Sequence, residues 1–162
     1  MFKYLVVIAA VAYLAVATDF SNCKKGDPPL KVNIKDCEVQ PCPVIKGTEA
    51  VMDMQFVAKR DNTTKLMAKV TAYMGMIAIP YPIEERLANV CNNLLHGAYC
   101  PLDKNEDVTY RFVFPLDDSY PEIQVKVQVA LEDENKEIVS CFAVNVKVMR
   151  GNSGGSKVLA LE

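Results

Sequence analysis

The residues of this 162-residue chain best suited to covalent or metal chemistry are six cysteines, Cys23, Cys37, Cys42, Cys91, Cys100 and Cys141, and a single histidine, His96. Nucleophilic catalysis needs a thiol or hydroxyl held beside a base. A structural zinc needs thiolates at short, repeated spacing. Here the closest cysteine pair is Cys37 and Cys42 with Pro41 between them, and His96 lies in a polar loop next to Gly97. Six cysteines in an exported chain read instead as three disulfides. Loop-closure cost favours Cys37 with Cys42 and Cys91 with Cys100, which leaves Cys23 to reach Cys141. The acidic run Glu132, Asp133, Glu134 lacks the spaced ligands and glycine of a calcium loop and reads as a solvated hairpin tip. No metal, no cofactor and no enzymatic activity are expected.

Export is read from the N-terminus. Lys3 precedes an apolar run from Tyr4 to Val16, and Ala15 and Ala17 supply the small residues of a cleavage site. Residues 1–17 are thus expected to be a signal peptide, too short in its apolar part to span a bilayer. Residues 18–149 are then the working domain, and the Gly- and Ser-rich end, 150–162, a flexible tail or vector-derived remnant. The expected destination is extracellular or the lysosomal lumen. In such a chain Asn62-Thr63-Thr64 is a glycosylation sequon set in a turn. With 18 Lys and Arg against 20 Asp and Glu, the chain lacks the basic excess that nucleic acid would attract.

The elements that must position these residues alternate with period two. Leu30, Val32 and Ile34 begin the series, followed by Met52, Met54 and Phe56, by Leu66, Ala68, Val70 and Ala72, and by Tyr110, Phe112 and Phe114. Ile123 to Leu131 and Phe142 to Val148 give the longest examples. Such spacing predicts strands with one face buried and one wet. Turn residues fall between them at 59–64, 117–121 and 132–137. Six or seven strands with no intervening helices predict an all-β protein, an immunoglobulin-like β-sandwich of two antiparallel sheets. The chain has no Trp to pack on an inter-sheet disulfide as antibody domains do. One or two helical turns are expected within 84–97, inside the loop closed by Cys91 and Cys100.

One stretch breaks the rhythm: Met74 to Ile83, with Pro80 and Pro82, which pairs in character with Phe114-Pro115-Leu116 and Tyr120-Pro121. Proline removes a ladder donor, so strands carrying it cannot pair along their whole length. Two sheets held open at one end enclose an apolar crevice, and its natural occupant is an apolar ligand entering beside Tyr81, Leu116 and Tyr120. Met52, Met54, Met67, Met74 and Met76 are candidates for soft walls that suit a flexible acyl chain.

On these residues the chain resembles the Niemann-Pick type C2 proteins of the ML lipid-recognition superfamily. The likeness runs from Cys23 to Met149 and is carried by Cys37-Glu-Val-Gln-Pro-Cys42-Pro43, Lys46-Gly47, Pro80-Tyr81-Pro82-Ile83, Cys91, Cys100-Pro101, Tyr120-Pro121 and Cys141. The resemblance implies the disulfide pairing favoured above. It also implies a single sterol or fatty acid held between the sheets, with pocket positions at Ile34, Ile79, Tyr81, Leu116, Tyr120, Pro121 and Val125. Tyr81 stands where such proteins often carry Phe, and Met76-Ile77-Ala78 replaces a more proline-dense stretch. The implied activity is that of a monomeric carrier making transient contact with a membrane or receptor. The alternative is an innate-immune accessory protein that presents a microbial lipid, which would want a basic rim that the mouth segments lack.

Overall fold

A residue pattern of period two places every apolar side chain on one face of a pleated strand. A computed structural model describes residues 17–151, and in it that pattern builds β1 (Ser21–Asn22), β2 (Lys31–Ile34), β3 (Cys42–Ile45), β4 (Glu49–Val57), β5 (Leu66–Met74), β6 (Ile77–Tyr81), α1 (Glu85–Ala88), β7 (Asp107–Pro115), β8 (Gln124–Asp133) and β9 (Ile138–Met149). One sheet has the order β1-β9-β8-β5-β6 with β3 also on β9, and the other is β2-β4-β7. Their inner faces form an all-β sandwich whose fully buried centre includes Val32, Met54, Phe56, Leu66, Leu131 and Phe142. The expected leader and tail lie outside the described residues, except for Ala17, Arg150 and Gly151.

Several expectations need amendment. Strand β3 runs parallel to β9, pairing Cys42 with Val146 and Ile45 with Met149, so the larger sheet is antiparallel with one parallel member. The proline-rich stretch does form a strand: β6 pairs with the end of β5, Thr71 opposite Pro80, and tolerates proline because it is the edge of its sheet. Leu30 precedes β2 and is 58% exposed, outside the alternation that it resembled. Strand β9 has no wet face between Val139 and Val144. A bulge at Leu131 and Glu132 shifts the register there, β1 pairs alongside Phe142 and Ala143, and Cys141 is bonded to Cys23. The helical turn α1 precedes Cys91 and so lies outside the disulfide-closed loop.

Disulfides join Cys23 to Cys141, Cys37 to Cys42 and Cys91 to Cys100. The first ties the end of β1 to the middle of β9 across 118 residues of sequence. The second closes the loop between β2 and β3. Thr18 braces the same corner: its hydroxyl donates to the Cys37 carbonyl at 2.9 Å and accepts from the Ile34 amide at 3.1 Å.

Candidate functional site

The sheets part at the end where β5, β7 and β9 finish and β4 and β8 begin. Between them lies a cavity of about 340 Å³, lined by inward residues of every major strand. Ile34, Ile79, Tyr81, Leu116, Tyr120, Pro121 and Val125 all lie in its lining. So do the inward residues that continue the same strands, among them Phe112, Phe114, Val127, Val144 and Val146. These further residues were readable as core from the alternation. Their role as wall depends on the distance between the sheets, which no strand pattern records.

Exposure along the lining marks the opening. Met74, Ile79 and Ile123 are 43%, 41% and 37% exposed, whereas Leu116 is 8% exposed and belongs to the wall. Leu116 is pinned through its backbone: its amide donates to the Thr48 carbonyl at 2.9 Å, and its own carbonyl accepts from Gly47 at 2.8 Å. Gly47 has φ +73°, and a Cβ there would stand 2.8 Å from Asp118 Oδ1, so glycine lets the β3–β4 turn press against the β7–β8 loop. Of the five methionines expected as soft walls, only Met52 and Met74 line the cavity. Met54 is buried elsewhere in the core, Met67 lies outside the lining, and Met76 is fully exposed at the β5–β6 turn.

Aromatic rings frame one side of the opening. Tyr81 meets Phe114 edge-on with centroids 5.1 Å apart and Tyr120 at 6.1 Å. The hydroxyls of Tyr81 and Tyr120 are hydrogen-bonded to each other. Every other lining side chain is a hydrocarbon or thioether. Beside the opening, Glu122 accepts from Arg150 Nε at 2.8 Å and pairs with Lys46 Nζ at 3.3 Å. Arg150, and Lys46 with it, hold the Glu122 carboxyl below its ordinary range. Lys46 and Arg150 are thus both committed to a carboxylate.

The other sequence candidates lie away from this cavity. His96 is exposed in the loop between Cys91 and Cys100. Asp133 of the acidic run accepts from the Asn135 and Glu137 amides at 2.8 and 2.9 Å, while Glu132 pairs with Lys136, so the run caps its own hairpin. Asn62 is exposed in the β4–β5 crossing at φ +57°. All six cysteines are in disulfides.

Comparison with known proteins places this geometry in a wider group. The family model described as ML domain matches residues 17–148. The pig protein named NPC intracellular cholesterol transporter 2 is 25% identical over 146 residues, covering 90% of this chain and 94% of its own. A Drosophila melanogaster protein, NPC intracellular cholesterol transporter 2 homolog a, is 28% identical over 152 residues, covering 91% and 99%. The crystal structure of a Niemann-Pick type C2 protein from the Japanese carpenter ant superposes with a TM-score of 0.71 at 20% identity, covering 81% of this chain and 99% of that one.

Proposed function

The chain belongs to the ML domain family, and from that premise we propose that it is a lipid carrier, holding one sterol or long-chain fatty acid at a time between its sheets and releasing it to a membrane or receptor. The observation that carries this reading is the cavity: about 340 Å³ of space walled by hydrocarbon and open at one end. A preformed apolar space of this size is costly to leave unfilled in a core and suits an apolar guest. Burying about 300 Å² of lipid surface at roughly 25 cal/mol per Å² yields on the order of 7 kcal/mol, which sets roughly micromolar affinity as a ceiling before association entropy is subtracted. Ile34, Ile79, Tyr81, Leu116, Tyr120, Pro121 and Val125 are the ligand contacts in this proposal.

Transfer of this kind involves no bond making, and the lining pairs no nucleophile with a base. The working carrier is a secreted or lysosomal monomer with a glycan on Asn62. Presentation of a microbial lipid to an immune receptor is the second reading; Lys46 and Arg150, two of the cations it could use for lipid phosphates, are engaged by Glu122. Organic extraction and mass spectrometry of protein secreted from eukaryotic cells test the proposal. About one equivalent of a lipid per chain is expected, and delipidated protein that takes up neither a sterol nor a fatty acid probe would refute it.

A further inference from the structure

The cavity has only two polar side-chain groups in its lining, and they meet at one point, where Tyr81 Oη on β6 and Tyr120 Oη on the β7–β8 loop share a hydrogen bond. Both residues adjoin the opening: Tyr81 follows Ile79 along the edge strand, and Tyr120 precedes Pro121 and Ile123. We propose that this phenol pair is the head-group anchor of the cavity and selects lipids ending in a single hydroxyl. The inference rests on the carrier reading and adds the chemistry of the ligand's polar end.

A phenol has one donor and two lone pairs. When two phenols bond to each other, one O–H is used and the other remains, together with free lone pairs. An alcohol matches that remainder, since it can accept from the free phenol O–H and donate to the partner oxygen. An ether or ester can only accept and so makes one of the two bonds. A carboxylate would bring charge into an apolar wall, while the neighbouring Lys46 and Arg150 are already bound to Glu122. The ring edges of Phe114 and Tyr120 fix the Tyr81 ring, so the pair is held in place before a ligand arrives.

The test compares hexadecanol with its methyl ether, a pair differing in the hydroxyl donor, as competitors of a fluorescent apolar probe. It uses the delipidated secreted protein, as wild type, Tyr81→Phe and Tyr120→Phe. Wild type is expected to favour the alcohol by roughly three- to tenfold, the usual worth of one hydrogen bond. Either variant should reduce the preference to about twofold or less, read as the ratio of the two competitors' affinities within each folded variant, so that any change in probe affinity cancels. Equal affinities in wild type, or a preference retained by both folded variants, overturn the anchor and leave the carrier reading standing. If neither competitor nor probe binds wild type, the carrier reading fails and the anchor falls with it.

Discussion

Ile79 and Leu116 line the same cavity but differ in what a charge would do at each position. Ile79 is 41% exposed, so an aspartate there remains hydrated in the empty protein and must shed water only when a chain enters. Ile79→Asp is expected to weaken displacement of a fluorescent fatty acid by roughly tenfold or more while the thermal midpoint holds. Leu116 is 8% exposed, and Leu116→Asp is expected to lower unfolding stability by roughly 2–4 kcal/mol in a denaturant titration. If Ile79→Asp bound normally, the opening would lie elsewhere. Glu122 gives a pH signature. Its carboxyl is held low by Arg150 and Lys46, so its contribution to stability is complete above the unfolded carboxylate range and is lost as pH falls through the depressed value. The difference in thermal midpoint between wild type and Glu122→Gln should therefore stay constant from neutral to mildly acidic pH and vanish only in stronger acid. A difference that changed with pH around neutrality would point to another group. At this scale the sequence was informative about aromatic and aliphatic wall residues and silent about exposure, because Leu116 and Ile79 are equally apolar and only tertiary packing separates them.

Strand β6 shows how far pattern reading reaches at the level of elements. Its prolines predict incomplete pairing, and the chain meets that constraint by placing the strand at a sheet edge, where only β5 needs its hydrogen bonds. The longer strands were legible because alternation over nine or more residues leaves one buried face, as in β4, β7 and β8. Strand β3, with proline second in its four residues, carries no such signal, and its parallel pairing follows from where the Cys37–Cys42 loop releases the chain. Position in the sheet also sets dynamics. Amides of Ile77 and Ile79 at the edge should exchange with solvent far faster than those of Phe142 and Val146, which lie between neighbours on both sides. Ligand should slow the β6 amides selectively. Uniform protection across both strands in hydrogen-exchange mass spectrometry or NMR would contradict the placing of β6 at the edge beside the opening.

Across the whole molecule, the two ends of the sandwich are built differently. Leu66, Val90, Leu102 and Leu131 fill one end, where all are inaccessible to solvent, and the cavity occupies the other. The sheets' existence was readable from sequence, but their separation was not, since it depends on how far apart the loops at the open end hold them. The disulfides divide between these ends. Cys23–Cys141 fastens β9 on the side toward its β8 hairpin, whereas Cys37–Cys42 lies between Ile34 and Val44, which both line the cavity. In the chain-entropy picture the 118-residue separation of the first is worth roughly 5 kcal/mol and the 5-residue separation of the second about 2 kcal/mol. The alanine pair at Cys23 and Cys141 should therefore lose more stability in denaturant, yet keep near-normal lipid affinity in its folded fraction. The pair at Cys37 and Cys42 should lose less stability and more affinity, because the corner that sets Ile34 and Val44 is freed. Equilibrium unfolding and probe titration on both double variants decide it: if binding and stability fall in the same proportion in each, the cavity end has no independence from the filled end, and the cavity is part of one cooperative core.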